Sequence, residues 1–497
     1  MTGGAGVRPP AARVARNTTL RITAEVISKI TSVAFFVVLA REFSASGLGD
    51  WIFAMAVVQL LWPVAGFGLD RLMIREIARD RSALHRLFFP AMWLKVAANL
   101  GGVVVALGVL TALGYSDTVW TLVLVMGVSQ CVGMAMTSAF SVFQAYEQME
   151  YHFLASVPKG VLSSLAGIGV VLLGGGLVEV AFTGFAFNVF GAAFSFLILY
   201  RRFVAPRFAV GLREWPRLYV TSGPLGIQEV IGIIIFRIDA ILLSLMTTAA
   251  VVGIYGAGYR MLEATLFLAW SVGTAVFPMY SYFGRDTRPP LSRVYEGSLK
   301  FALAIMTPVG VTLLVCAEPI VDVLFGLPEY ADTVPVLRWL ALVAVFYPIG
   351  YLSGELIAVR RPGRFAVLSS AFVAGFNIAL NLVLIPIYGA EGAAATTLAS
   401  EAVLAVLGIA LARAETGMPR LAWVLLAPGI AGTLMAASML PFANDLVLAI
   451  VIGAPVYLAA LALAEGKGLR GDIAAVRQAV RRGTSPSVTA EEAHVGS

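Results

Sequence analysis

The sequence predicts an all-α polytopic membrane protein of about fourteen transmembrane helices, built as two six-helix lobes in a parallel pseudo-twofold repeat plus two C-terminal helices. Three observations predict this. First, 59% of the 497 residues are hydrophobic and only 13% are charged, against about 25% charged in a soluble globular chain; mean hydropathy is +0.88. Second, apolar stretches of about 20 residues, the length that spans a bilayer as a helix, recur along the whole chain. Third, the two halves match at a shift of 204 positions, which lays Gly49 on Gly253, Trp51 on Tyr255 and Glu25 on Glu229.

Taken in order, the expected spans cover 18–40, 51–69, 87–112, 119–143, 153–174, 178–200, 219–246, 250–280, 297–317, 333–357, 365–386, 390–411, 421–441 and 446–464. The polar, basic start "MTGGAGVRPPAARVARNTT" precedes a full-length span that others follow, so it reads as a tail before an uncleaved first helix rather than a signal peptide. Spans 3 to 6 match spans 9 to 12 at offsets of roughly 210 to 214. Six spans per half keep both halves in one orientation, a repeat about an axis along the membrane normal. The domains expected are a tail over 1–16, an N-lobe over 17–218, a C-lobe over 219–412, two appended spans over 413–464 and a partly disordered tail over 465–497.

Loop charges set the orientation. Alternate connectors such as "DRLMIREIARDRSALHR", "RRFVAPRFAVGLREWPR" and "AVRRPGR" are rich in arginine, while "QAYEQMEYH" is the exception in that series. The opposite loops carry almost no Lys or Arg apart from Arg41, and the longest, "AEPIVDVLFGLPEYADT", is acidic. The positive-inside rule then places both termini in the cytoplasm of a cell inner membrane. A pI near 9.3 is thus a topology signal rather than a sign of nucleic-acid binding. Cys131 and Cys316 read as small packing residues, and three scattered histidines give no metal-ligand spacing. Phosphate-loop, nucleophile-elbow, zinc-protease and dinucleotide fingerprints are absent. No connector is long enough for a soluble catalytic domain, so neither an enzyme nor a catalytic or metal site is expected.

A charge near a helix centre costs about 2.5–3.5 kcal/mol on insertion scales, and such residues usually face a bundle interior or a wet cavity. Span 1 carries Arg21, Glu25 and Lys29 at spacings of four, one stripe of a helix. A span starting near residue 18 puts Lys29 about 16 Å deep. Span 7 carries Gln228, Glu229, Arg237 and Asp239. Arg237 and Asp239 are about 200° apart at 3.6 residues per turn, so at least one must find a partner on another helix. Span 8 carries Arg260 and Glu263 on one face, and Asp239 with Arg260 is the expected interhelical pair. Asn377 and Asn381 in span 11 read as interhelical hydrogen-bond glue, and Lys95 as a lysine that snorkels. By the repeat, spans 1, 7 and 8 meet between the lobes, where arginine and lysine suit a phosphate or pyrophosphate. The carboxylates suit charge balance or coupling to H+ or Na+.

The stretches "LAREFSASGLGDWIFAMA", "GLDRLMIREIAR", "RIDAILLSLMTTAAVVGIYGAGYRMLE", "LFGLPEYADTVPVLRWLAL" and "NIALNLVLIPIYGAEGAAATTLASE" resemble the polysaccharide-transporter branch of the multidrug/oligosaccharidyl-lipid/polysaccharide exporter superfamily, the Wzx-type oligosaccharide flippases. The resemblance covers most of residues 17 to 412. It implies a flippase that moves undecaprenyl-diphosphate-linked oligosaccharide, such as an O-antigen, capsule or exopolysaccharide unit, to the outer leaflet by alternating access. The family's cationic cavity would then fall on Lys29, Arg237, Arg260 and Arg21, with Arg71 and Arg75 at its cytoplasmic mouth. Glu25, Glu229, Asp239 and Glu263 would serve coupling or balance. Partners would be the lipid-linked oligosaccharide, membrane lipids, and a glycan polymerase or glycosyltransferases, with no cofactor beyond a coupling ion. Lipid II flipping and cation-coupled drug export are the alternatives within the superfamily. An integral-membrane glycosyltransferase or polymerase is disfavoured by outer loops of about fifteen residues.

Overall fold

The computed structural model of the chain describes residues 27–203, 208–283, 288–327, 329–360, 364–417 and 420–465. Helix α1 covers 27–42. It is followed by α2 (Ala45–Gly66), α3 (Leu69–Arg79), α4 (Ala83–Ala112), α5 (Asp117–Ala145), α6 (Met149–Leu172), α7 (Leu177–Arg202) and α8 (Trp215–Met246). The second half holds α9 (Ala249–Phe283), α10 (Arg288–Val315), α11 (Ala317–Leu324), α12 (Thr333–Arg360), α13 (Arg364–Thr416), α14 (Leu421–Met439) and α15 (Leu446–Glu465). Among the described residues there is no β-strand.

Among the described residues, eleven helices are long and apolar enough to cross a membrane. One of them, α13, changes direction at Gly389 (φ 55°, ψ −127°) and makes two spans. The 32-residue α8, which carries Glu229, Arg237 and Asp239, is also long enough to cross. With α8 and the described part of α1, residues 27–42, the described helices correspond to the fourteen expected spans. Most spans also hold an internal proline, from Pro63 in α2 to Pro455 in α15, as neighbouring helices in a membrane allow.

Two connectors differ from the loops expected. Residues 69–79 are the amphipathic helix α3, which buries Leu69, Leu72, Met73 and Ile77 and leaves Arg71 and Arg75 outside. Its arginines read as loop charges, but its apolar residues recur at helical spacing and cover α4 and α5. The acidic outer connector contains the short α11. After α3, the Asp80 carboxyl is held below the usual carboxylate range by bonds from the Ser82 hydroxyl and amide.

Helices α4 to α7 pack on one another, as do α10, α12, α13 and α14, while α15 pairs with α14. Between these groups α2 packs against both α8 and α9. The α2–α9 crossing carries the repeat in its geometry. A Cβ on Gly49 would lie 1.8 Å from the Ala249 carbonyl oxygen, and one on Gly253 would lie 1.9 Å from that of Ala45. Both pairs are related by the same 204-residue shift, so the contact is one contact seen from each half. Only glycine permits backbones this close.

The halves are also tied at the ends of these helices. At the α1–α2 turn, Tyr330 donates to the Ala40 carbonyl at 3.0 Å and Glu329 accepts from the Ala45 amide at 2.7 Å. Arg41 donates to the carbonyls of Val323 and Leu324. At the far end of α2, Gly68 (φ +75°) packs on Gly226 of α8, where a Cβ would lie 2.7 Å from the Gly226 nitrogen.

Candidate functional site: a cationic cleft between the halves

The strongest cluster of intramembrane charge lies where α1, α2, α8 and α9 meet. Arg237 lies nine residues before the end of α8 and Arg260 eleven residues into α9, about 14 Å and about 17 Å along their helices. Both are therefore near mid-bilayer. Arg237 Nε donates to Gln59 Oε1 at 2.5 Å, and its terminal nitrogen to Glu263 Oε1 at 2.6 Å. Arg260 donates to Glu263 Oε2 at 3.3 Å and to the Ser32 hydroxyl. One carboxylate thus serves two guanidiniums. Arg260 also stacks 5.6 Å from the Phe36 ring centroid, and Arg237 lies 6.0 Å from that of Tyr259. Arg260 Nε is buried with no hydrogen-bond partner among the described residues. The cleft therefore has a net positive charge and a spare donor, which suits an anion.

Helix α1 reaches this cleft by one face. Ser32 and Phe36, four residues apart, both meet Arg260, while Phe35 packs at Gly167 of α6. Lys29 lies three residues before Ser32, about 60° from it around the helix, and is exposed. Arg21 and Glu25 fall outside the described residues.

The expected Asp239–Arg260 pair does not form. Asp239 is buried on the other side of α8. Its Oδ1 accepts from Asn381 Nδ2 at 2.6 Å, and its Oδ2 from Tyr255 at 2.8 Å and Thr397 at 2.9 Å. Asn377 accepts from Asn381 and donates to Ser400. The 200° separation of Arg237 and Asp239 sends the arginine toward α2 and α9 and the aspartate toward α9 and α13. Asn377 and Asn381 thus join helices and also complete the Asp239 cage. Asn381 Oδ1 is buried without a hydrogen-bond partner among the described residues, which leaves an acceptor on the amide that bonds Asp239.

Glu229 does not enter the cleft. It pairs with Arg71 of α3 at 2.9 Å, half-exposed, at the end of α2 opposite the Gly49–Gly253 crossing. Arg75 lies one turn further out and bonds its neighbour Glu76 at 3.0 Å, away from the central charges. Lys95 does not snorkel. It is fully buried and donates to Asp70 at 2.6 Å, Thr137 at 2.9 Å and Ser138 at 3.2 Å. Asp70 also accepts from Ser141, so α3 is pinned by Asp70 to one half and by Arg71 to the other.

Two residues that sequence reasoning passed over belong to the same region. Gln59 is the Arg237 acceptor; an uncharged residue in an apolar span gives little signal. Lys159 lines a cavity beside α2. It lay near the start of its expected span, but α6 begins at Met149, which puts it ten residues inside.

The model of a family described as "Polysaccharide biosynthesis protein" matches residues 14–283, more than half of the chain. The chain is 24% identical over 423 residues to the probable flippase AglR of Haloferax volcanii, covering 82% of this chain and 85% of that one. It is 25% identical over 306 residues to the succinoglycan biosynthesis transport protein ExoT of Rhizobium meliloti, covering 61% of each. Its fold is that of the lipid II flippase MurJ in an inward closed conformation (TM-score 0.76, 16% identity, 90% of this chain and 99% of that one). An inward-facing multidrug resistance MATE transporter matches with a TM-score of 0.65 at 15% identity, over 78% of this chain and 94% of that one. The chain belongs to the polysaccharide biosynthesis protein family and folds as a multi-pass membrane protein.

Proposed function

We propose that the chain flips a glycan linked through a diphosphate to a lipid carrier, from the cytoplasmic to the outer leaflet, by alternating access of its two halves. The observation that carries this reading is the Arg237–Glu263–Arg260 cluster, a mid-membrane cationic cleft with an unused guanidinium donor. Two guanidiniums match the paired phosphates of a diphosphate, and Lys29 extends the positive face toward the cytoplasmic mouth. Arg21, Glu25 and Arg75 keep the roles the family resemblance implies, with Arg75 and Arg71 on the entry side. Glu229 holds Arg71 when substrate is absent.

Two finer readings differ in the glycan. The description of the family model and the relative ExoT favour an oligosaccharide or polysaccharide repeat unit, such as an O-antigen, capsule or exopolysaccharide unit. The fold shared over nearly all of MurJ favours lipid II. Drug export fits less well, because a site with two arginines repels the cations such exporters carry. In either glycan reading both termini lie in the cytoplasm, glycosyltransferases supply the substrate on that side, and a polymerase or transferase consumes it on the other. The Asp239 cage, with its uncharged hydroxyl and amide neighbours and a free Asn381 oxygen, suits the coupling ion, H+ or Na+.

The test is flipping in proteoliposomes, with fluorescent undecaprenyl-diphosphate oligosaccharide, lipid II and a cationic dye offered in parallel. The proposal expects flipping of one or both diphosphate lipids and no movement of the dye. Movement of the dye alone would overturn it.

A further inference from the structure

The arginine cleft continues into the N-terminal half. Met55 lines both the cleft and a larger cavity of about 360 Å³, and Gln59 of that cavity accepts from Arg237; the size is within the range of about 300–1,000 Å³ typical of small-ligand sites. The cavity is walled by α2, α5, α6 and α7, with Phe35 of α1. Trp51 and Trp62 both line it from α2; eleven residues apart, they fall within about 20° of each other around the helix.

Lys159 stands in this cavity about 15 Å along α6. Its Nζ donates to Asn188 Oδ1 at 2.8 Å, and Asn188 donates on to Ser129 at 2.7 Å. Both neighbours are neutral. The lining contains no aspartate or glutamate, and among the described residues Lys159 forms no ion pair. The contrast with Lys95 is direct, since that lysine is buried against Asp70. Gly191 gives the lysine stem its place: a Cβ there would come 2.9 Å from Lys159 Cδ and 3.1 Å from Met136 Sδ. Lys159 is therefore held in position with one neutral hydrogen-bond partner and no counter-charge. An intramembrane cation left this way marks a functional site.

We propose that this cavity is a subsite for an acidic sugar, whose carboxylate pairs with Lys159 while its ring lies against the tryptophan-lined wall. The proposal rests on the flippase reading and deepens it. A lone ammonium is a compact point charge, suited to a single carboxylate. A diphosphate is better matched by the two guanidiniums next door. Asn188, Ser129 and Gln130 add hydrogen-bonding partners for sugar hydroxyls, and the continuity through Gln59 lets one ligand occupy cleft and cavity together.

The test uses the full chain in phosphatidylcholine nanodiscs and two synthetic probes, farnesyl-diphosphate-linked glucosyl-glucose and farnesyl-diphosphate-linked glucuronyl-glucose. Calorimetric titration should show the glucuronyl probe binding tenfold or more tightly than the neutral one. In Lys159→Gln the preference should vanish with affinity for the neutral probe retained, and in Lys159→Arg it should partly return. Equal affinity of the wild type for both probes overturns the subsite, and that comparison needs no variant. Equal weakening of both probes by Lys159→Gln also overturns it, because Lys159 would then read the diphosphate. Loss of the preference on adding phosphatidylglycerol would assign the cavity to a lipid headgroup and overturn it too. If neither probe binds the wild type, the flippase reading fails rather than the subsite alone.

Discussion

Glu263 sets the charge of the cleft. Because it accepts from both Arg237 and Arg260, it competes with any anionic ligand for the same donors. Glu263→Gln should therefore tighten binding of inorganic pyrophosphate by about tenfold, equivalent to about 1.4 kcal/mol, and slow turnover by holding the anion; titration calorimetry and flipping rates read the two effects. Asp239 acts apart from this cluster, so Asp239→Asn should leave pyrophosphate affinity unchanged. It should abolish the dependence of flipping on an imposed H+ or Na+ gradient. Gradient dependence that survives the substitution would remove Asp239 from coupling. Lys95 has a structural part, since it is wholly buried against Asp70. Asp70→Ala strands that charge and should cost about 3 kcal/mol of stability, read as a lower thermal midpoint in detergent. Asp70→Asn, which keeps an acceptor, should cost less.

At the scale of elements, the α2–α9 crossing is where the halves come closest. A methyl group on Gly49 or Gly253 has no room against the opposing carbonyl, so Gly49→Ala and Gly253→Ala should each force these helices apart. Both should raise cysteine-labelling accessibility at the α1–α2 turn and lower flipping by tenfold or more. Because the contact is symmetric, the two variants should behave alike. Strongly different effects would argue against the crossing as a pivot shared by both halves. Helix α3 works at the other end of α2, with Asp70 on one half and Arg71 on the other, so it can transmit movement between them.

For the whole molecule, span number and repeat were legible because both rest on one-dimensional signals, hydropathy and a fixed offset. The 204-residue shift that aligned Gly49 with Gly253 reappears as their reciprocal contact. The charged faces of spans 7 and 8 were legible for the same reason: a charge in an apolar run is visible without coordinates. Their partners were not. Helical-wheel angles fix where Asp239 points relative to Arg237, but not how α8 is rotated toward α9 and α13, so the Asp239–Arg260 pairing failed and the Asp239–Asn381 bond went unseen. Distance from the span start alone suggests that Lys95 snorkels, whereas α3 folds back with Asp70 to meet it. Lys159 gives little signal in the sequence because α6 starts earlier than its apolar stretch does.

The central claim is that the cleft between the halves holds the diphosphate of a lipid carrier. Its most direct test compares equilibrium binding of undecaprenyl diphosphate and undecaprenyl monophosphate to the wild type, Arg237→Ala and Arg260→Ala in nanodiscs. Losing one charge-assisted hydrogen bond of about 1.5–3 kcal/mol predicts that the wild type prefers the diphosphate and that each variant loses tenfold or more of that affinity while remaining folded. Unchanged diphosphate affinity in both variants would contradict the account.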